Sequence, residues 1–298
     1  MRDPSQIERF TVRSRGTNVL CHRYGDGAAL SEPAVILCAG FSGTQDTPAI
    51  VAAAVAFAEA GIQTVTFDYR GFGQSDGMPR QVVSVADQLD DVRAVLARVR
   101  TMPSVDPTRV ALWGSSLGGA HALTISAQDQ DVAAVVAQVP FNGFPPHTRG
   151  RSQRDSFALL WTALRDRFRG WTGRPPIYVK AVGRTQEQAV MVGSEANATI
   201  KALSSATWRN QVAPRGLLDM VGYRPGRTMN RIVAPVLICL AAHDDETTAS
   251  TTMQLARSAP NGRQLSYPAT HFEIYRPEIR SMVLRDQTAF LVQALGAD

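Results

Sequence analysis

"RVALWGSSLGGAH", residues 109–121, is the stretch on which the fold turns. "VALW" is a short apolar run of the kind that forms a buried parallel strand, and "GGAHALTISA" beyond it is compatible with a helix. Between them stand Gly114, Ser115, Ser116 and Gly118, small residues that let the backbone fold sharply on itself. "GSSLG" (114–118) matches the pattern G-x-S-x-G with Ser116 at its centre, a turn that leaves the serine strained and exposed at the strand's end. Glycine-rich strand-to-helix turns also bind phosphate, but that loop needs G-K-[ST], and no lysine follows these glycines. Ser116 is the candidate nucleophile.

Outward from this turn the chain alternates. "IERFTVRSR" (7–15) and "TNVLCHRYG" (17–25) flank Gly16 and read as a hairpin. "AVILCA" (34–39), "IQTVTFD" (62–68) and "VAAVVAQV" (132–139) are further buried-strand patterns. Helical patterns lie between them, at 46–60 and at 84–101, where Val85, Leu89, Val92, Leu96 and Val99 share a face. Alternating strand and helix predicts an α/β fold with a mostly parallel, doubly wound sheet. The rhythm breaks from Phe144 to Val233 and resumes with the strand "APVLICLAA" (234–242), a helix near 248–258, the strand "RQLSYP" (263–268) and a helix from Pro277 to Leu295. Because structureless loops longer than about 15 residues are uncommon, 144–233 reads as an inserted cap between core segments 1–143 and 234–298.

Within the cap, Phe157, Leu160, Trp161, Leu164, Phe168 and Trp171 follow three- and four-residue spacings on one helical face. Phe157, Trp161, Phe168 and Trp171 are candidates to line an apolar substrate pocket, with packing inside the cap as the alternative.

Composition narrows the function classes. The formal charge of +5 comes from 29 arginines and two lysines spread along the chain, not from a clustered basic stripe, so no nucleic-acid partner is expected. "RGRSQRD" (149–155), the densest basic stretch, reads as solvated surface. Cys21, Cys38 and Cys239 make an odd set without close pairing, which fits a reducing compartment. The first ten residues hold no signal-peptide run and no stretch of about 18 apolar residues occurs, so a cytoplasmic protein without membrane partners is expected.

A serine at its ordinary pKa needs a base in hydrogen-bond reach and a carboxylate to orient that base. After a turn of this kind the chain order is serine, acid, histidine. Of the five histidines, His22 is upstream, His121 lies one helical turn past Ser116, His147 opens the cap and His243 sits among acids. His271, in "YPATHFEIY" after the last strand, is the candidate base. "LICLAAHDDETT" offers Asp244, Asp245 and Glu246, and Asp244, four residues beyond Leu240, is the candidate carboxylate. Adjacent residues such as His243 to Glu246 cannot all face one ion, so neither a metal nor a cofactor is expected. Backbone donors for an oxyanion would be Leu117 N–H and, in "CAGFSGT" (38–44), Phe41 N–H.

Taken together, these segments resemble the α/β-hydrolase family over nearly the whole chain. "FDYRGFGQSDG" (67–77) is similar to that family's loop after the fourth strand. "VAQVPF", "WRNQVA", "YRPGR" and "HFEIY" resemble a capped bacterial and fungal branch, often labelled acetylxylan-esterase-like or dienelactone-hydrolase-like, that includes polyketide acyltransferases. The branch often has His-Gly where this chain has Ala39-Gly40, which leaves a backbone donor unchanged. The resemblance implies a cofactor-free serine carboxylesterase or thioesterase acting on a small acyl ester or thioester, with Ser116, His271 and Asp244 as triad and Phe41 and Leu117 as oxyanion donors. An acyltransferase using the same triad and a non-catalytic ligand-binding protein are the alternatives. A peptidase ranks lower, since no long N-terminal domain precedes the core. Oligomeric state is left open.

Overall fold

The structure is a computed structural model that describes residues 7–25, 31–144, 151–185, 187–193, 195–244, 247 and 249–297. His147, Asp245 and Glu246 lie outside the described residues. Along the chain run β1 (Ile7–Ser14), β2 (Thr17–Tyr24), β3 (Glu32–Cys38), α1 (Pro48–Glu59), β4 (Gln63–Phe67), α2 (Val85–Arg100), β5 (Val105–Ser115), α3 (Leu117–Ser126) and β6 (Ala134–Gln138). Then come α4 (Gln153–Trp171), β7 (Lys180–Gly183), β8 (Ala189–Val192), α5 (Ala196–Leu203), α6 (Arg215–Met220), β9 (Val236–Ala241), α7 (Ala249–Ser258), β10 (Gly262–Tyr267) and α8 (Pro277–Leu295).

Eight strands form one sheet in the order β1-β2-β4-β3-β5-β6-β9-β10. The β1–β2 hairpin is antiparallel and joins β4 antiparallel, while every pairing from β4 to β10 is parallel. All residues of β3, β4, β6 and β9 are buried, as strands covered by helices on both faces must be. This explains their continuous apolar runs. α2 turns Leu89, Val92, Val95, Leu96 and Val99 inward and starts at Ser84, whose hydroxyl accepts from Asp87 N–H. α3 is buried all round, which suits its alanine- and glycine-rich sequence.

The segment between β6 and β9 contains a small parallel sheet of β7 and β8, which the sequence reading did not anticipate. Strands of four residues are too short to display a period. α4 is present over the expected range, but its burial is reversed from what its apolar stripe predicts. Leu159, Ala163 and Asp166 face inward, and Asp166 binds the Arg215 guanidinium twice, at 2.7 and 2.8 Å, while accepting from Ile177 N–H. The large apolar side chains point outward, on the face opposite this ion pair.

Candidate active site

β5 ends at Ser115 and α3 begins at Leu117, leaving Ser116 at the corner with φ 54° and ψ −118°. A non-glycine residue with positive φ stores roughly 1–3 kcal/mol of strain. The surroundings hold it there: Ser116 N–H donates to Gln138 O at 2.9 Å, and Phe141 N–H donates to Ser116 O at 3.0 Å. The two motif glycines are steric requirements. A Cβ on Gly118 would lie 2.1 Å from Cys38 O, and one on Gly114 would lie 2.2 Å from Gly118 O. Only hydrogen at both positions lets α3 press against the ends of β3 and β5.

On the β9 and β10 side, His271 Nδ1 lies 2.8 Å from Asp244 Oδ2, with His271 4% and Asp244 7% exposed. Thr247 completes the carboxylate's shell, its N–H donating to Oδ1 at 2.8 Å and its hydroxyl to Oδ2 at 2.7 Å. Burial by itself raises the Asp244 pKa, but the neighbouring His271 charge and these hydrogen bonds outweigh it and hold the carboxyl at about 2. Asp244 is therefore an anion that keeps a proton on the His271 nitrogen facing it.

Ser116 and His271 open together onto two cavities. One is lined by Ile50, Trp113, Leu203, Phe272 and Tyr275. The other is lined by Leu117, Phe141, Leu159, Leu217 and Met220, with the Arg151 side chain at its wall. Phe41 and Met191 line both. The structure thus brings together Ser116, His271, Phe41 and Leu117, with Asp244 bound behind the histidine. His121 is excluded from this group: it is fully buried, bonded to Gln88 and Tyr223, and burial pushes its pKa down to about 3. His22 is buried in β2, and His243 is exposed.

Phe157, Trp161, Phe168 and Trp171 are not brought to the site. They are 70%, 66%, 60% and 78% exposed, and none lines either cavity. The residue of α4 that does is Leu159, on the opposite face. The sequence reading took the more strongly apolar stripe for the inward one, whereas the inward face carries Leu159, Ala163 and the Asp166 that pairs with Arg215.

Two neighbours of the site were missed. Tyr275 lines the first cavity and its hydroxyl lies 2.8 Å from Ser115 Oγ, four residues after His271 in the quoted "HFEIY". Thr247 follows Asp244 by three residues in "DDETT". A hydroxyl three residues beyond a loop carboxylate was the available signal. In the loop after β3, Asp46 accepts from Ser205 and Thr207 hydroxyls at 2.7 Å each, tying 205–207 to the segment that carries Phe41.

Residues 31–271 match the family described as serine aminopeptidase, S33, and the chain belongs to this α/β-hydrolase family. It is accordingly an enzyme of the hydrolase class. The quorum-quenching protein AidA of Acinetobacter baumannii is 35% identical over 94% of this chain and 93% of its own length. The polyketide transferase ATR5 of Stachybotrys chlorohalonatus is 30% identical over 72% of each chain. Among solved structures, the α/β hydrolase GrgF from Penicillium sp. sh18 superposes with a TM-score of 0.79 at 20% identity, covering 99% of both chains. Among the described residues, no helix is long and apolar enough to cross a membrane.

Proposed function

We propose that this protein is a serine hydrolase that cleaves a carboxylic ester or thioester through an acyl-enzyme on Ser116. The observation that carries the reading is the 2.8 Å contact between His271 Nδ1 and Asp244 Oδ2, with His271 and Ser116 lining the same two cavities. Asp244 fixes the tautomer so that His271 Nε2 carries the basic lone pair. That nitrogen takes the Ser116 proton as Oγ attacks the acyl carbon, and the carbonyl electrons move to oxygen. Phe41 N–H and Leu117 N–H receive the oxyanion, a contribution for which the loss of one donor costs about 10²–10³ in kcat. His271 then gives its proton to the leaving alkoxide or thiolate and activates the water that releases the acid.

The two largely apolar cavities that share Ser116 and His271 support a substrate with an apolar acyl or leaving group. Residues 144–233 act as the cap, contributing Leu159, Met191, Leu203 and Leu217 to the cavity walls. The three buried free thiols of Cys21, Cys38 and Cys239 support a cytoplasmic location.

A second reading, acyl transfer to an alcohol or amine by the same triad, is favoured by the likeness to a polyketide transferase. A panel of p-nitrophenyl and coenzyme A esters of graded acyl length, with an aminoacyl-p-nitroanilide beside them, tests the proposal. Turnover of an ester or thioester that Ser116→Ala abolishes supports it; turnover of the anilide alone overturns it. Adding a primary alcohol and measuring partition between acid and ester separates hydrolysis from transfer.

A further inference from the structure

We propose that α4 is a self-association surface, and that two copies of this chain pair their α4 helices antiparallel across a two-fold axis at Leu164. Six large apolar side chains stand outward on this one helix: Phe157, Leu160, Trp161, Leu164, Phe168 and Trp171. At 100° per residue they fall within an arc of about 100°. An exposed apolar stripe of this length marks an interaction site. Phe157, Trp161, Leu164, Phe168 and Trp171 alternate four- and three-residue steps, a spacing on which a second helix can seat.

The pattern is also nearly palindromic about Leu164. Phe157 and Trp171 lie seven residues either side of it, and Leu160 and Phe168 four either side. An isologous contact requires this self-complementarity, since residue i of one copy meets j of the other and j meets i. Trp161 falls level with Arg167 of the second copy, whose guanidinium is held on its own chain by Asp219 at 2.5 Å and the Arg215 carbonyl at 2.8 Å. With aromatic side chains offering 150–250 Å² each, the four exposed aromatics and their symmetry mates present on the order of 1,000 Å², the minimum for a stable interface.

Cysteine cross-linking tests the geometry, because Cys21, Cys38 and Cys239 are buried and Leu164, Phe157 and Trp171 are exposed. Light scattering at micromolar concentration is expected to give a dimer, and Leu164→Arg a monomer with unchanged ester turnover. Leu164→Cys is expected to cross-link to itself under mild oxidant, and Phe157→Cys only to Trp171→Cys chains. In an antiparallel pair the two Phe157 positions lie about 21 Å apart, at 1.5 Å per residue, beyond the roughly 7 Å limit of a disulfide. Self-linking of Phe157→Cys overturns the antiparallel arrangement. A wild-type monomer that co-sediments with phosphatidylserine vesicles, and loses this with Leu164→Arg, overturns the second copy in favour of a lipid surface. A monomer that binds neither overturns the proposal outright.

Discussion

Ser115 Oγ lies 2.8 Å from Tyr275 Oη, so one hydrogen bond joins the strand that ends just before the proposed nucleophile to the turn that follows the proposed base. Ser115 is buried, and its oxygen also accepts from Gln138 Nε2 at 3.1 Å, while Gln138 Oε1 accepts from Gln287 Nε2 at 3.0 Å. Trp113 Nε1–H closes the chain on Gln287 Oε1 at 2.8 Å. The two adjacent serines thus differ in their contacts. Ser116 lines both cavities, while Ser115 lines only the first and is bonded to Tyr275 and Gln138, fastening the two halves of the site together.

Ser115→Ala and Tyr275→Phe each remove one side of that fastening. Each is expected to cost about 1 kcal/mol of stability, as a lost buried hydrogen bond does, and to lower kcat several-fold without abolishing it. Because both remove the same contact, the two losses are expected to fall short of additive in the double variant. Urea melts of the four proteins check this, and full additivity would mean the contact carries no coupling.

Asp244→Asn is expected to reduce kcat by about 10⁴ while leaving the fold intact, because an amide donates to Nδ1 and selects the wrong imidazole tautomer. Thr247→Ala should be milder, since it removes the hydroxyl donor to Oδ2 but keeps the backbone donor to Oδ1. Steady-state kinetics of the two variants distinguish them. Equal losses would place the orienting carboxylate elsewhere.

The core was legible because its strands are buried on both faces and its turn needs glycine at Gly114 and Gly118, so pattern and sterics coincide in the sequence. His271 and Asp244 were singled out by the order serine, acid, histidine that accompanies this kind of turn, and the structure sets the two side chains 2.8 Å apart. α4 was misread for a physical reason. Hydrophobic periodicity finds the apolar face but cannot tell whether a neighbour covers it, and here the covered face is the one that carries Leu159, Ala163 and Asp166. Tyr275 was missed because no period connects a loop tyrosine to a strand 160 residues away.

Stability is expected to fall with acid through His121. Burial lowers its pKa from 6.5 to about 3, so the fold holds it neutral while the unfolded chain protonates it. The contribution is complete above pH 6.5 and is lost as pH falls toward 3, by up to about 1.4 kcal/mol per pH unit. His121→Gln should flatten that slope between pH 6.5 and 4. Denaturant midpoints measured across this range check it, and parallel curves for the two proteins would contradict it.

Leu159, not the exposed aromatics, is expected to read acyl length. Each methylene removed from water contributes about 0.8 kcal/mol, so Leu159→Ala should lower the preference for a longer chain by about fourfold per lost contact. Trp161→Ala should leave the ratio of kcat/KM values for short and medium esters unchanged. The reverse result would return the pocket to the outer face of α4.

The most direct measurement is mass spectrometry of the protein after reaction with a fluorophosphonate, followed by peptide mapping. One adduct is expected, on the serine of "GSSLG" at position 116, present in Ser115→Ala, absent in Ser116→Ala and strongly slowed in His271→Ala. An adduct on Ser115, or none on a folded protein, would contradict it.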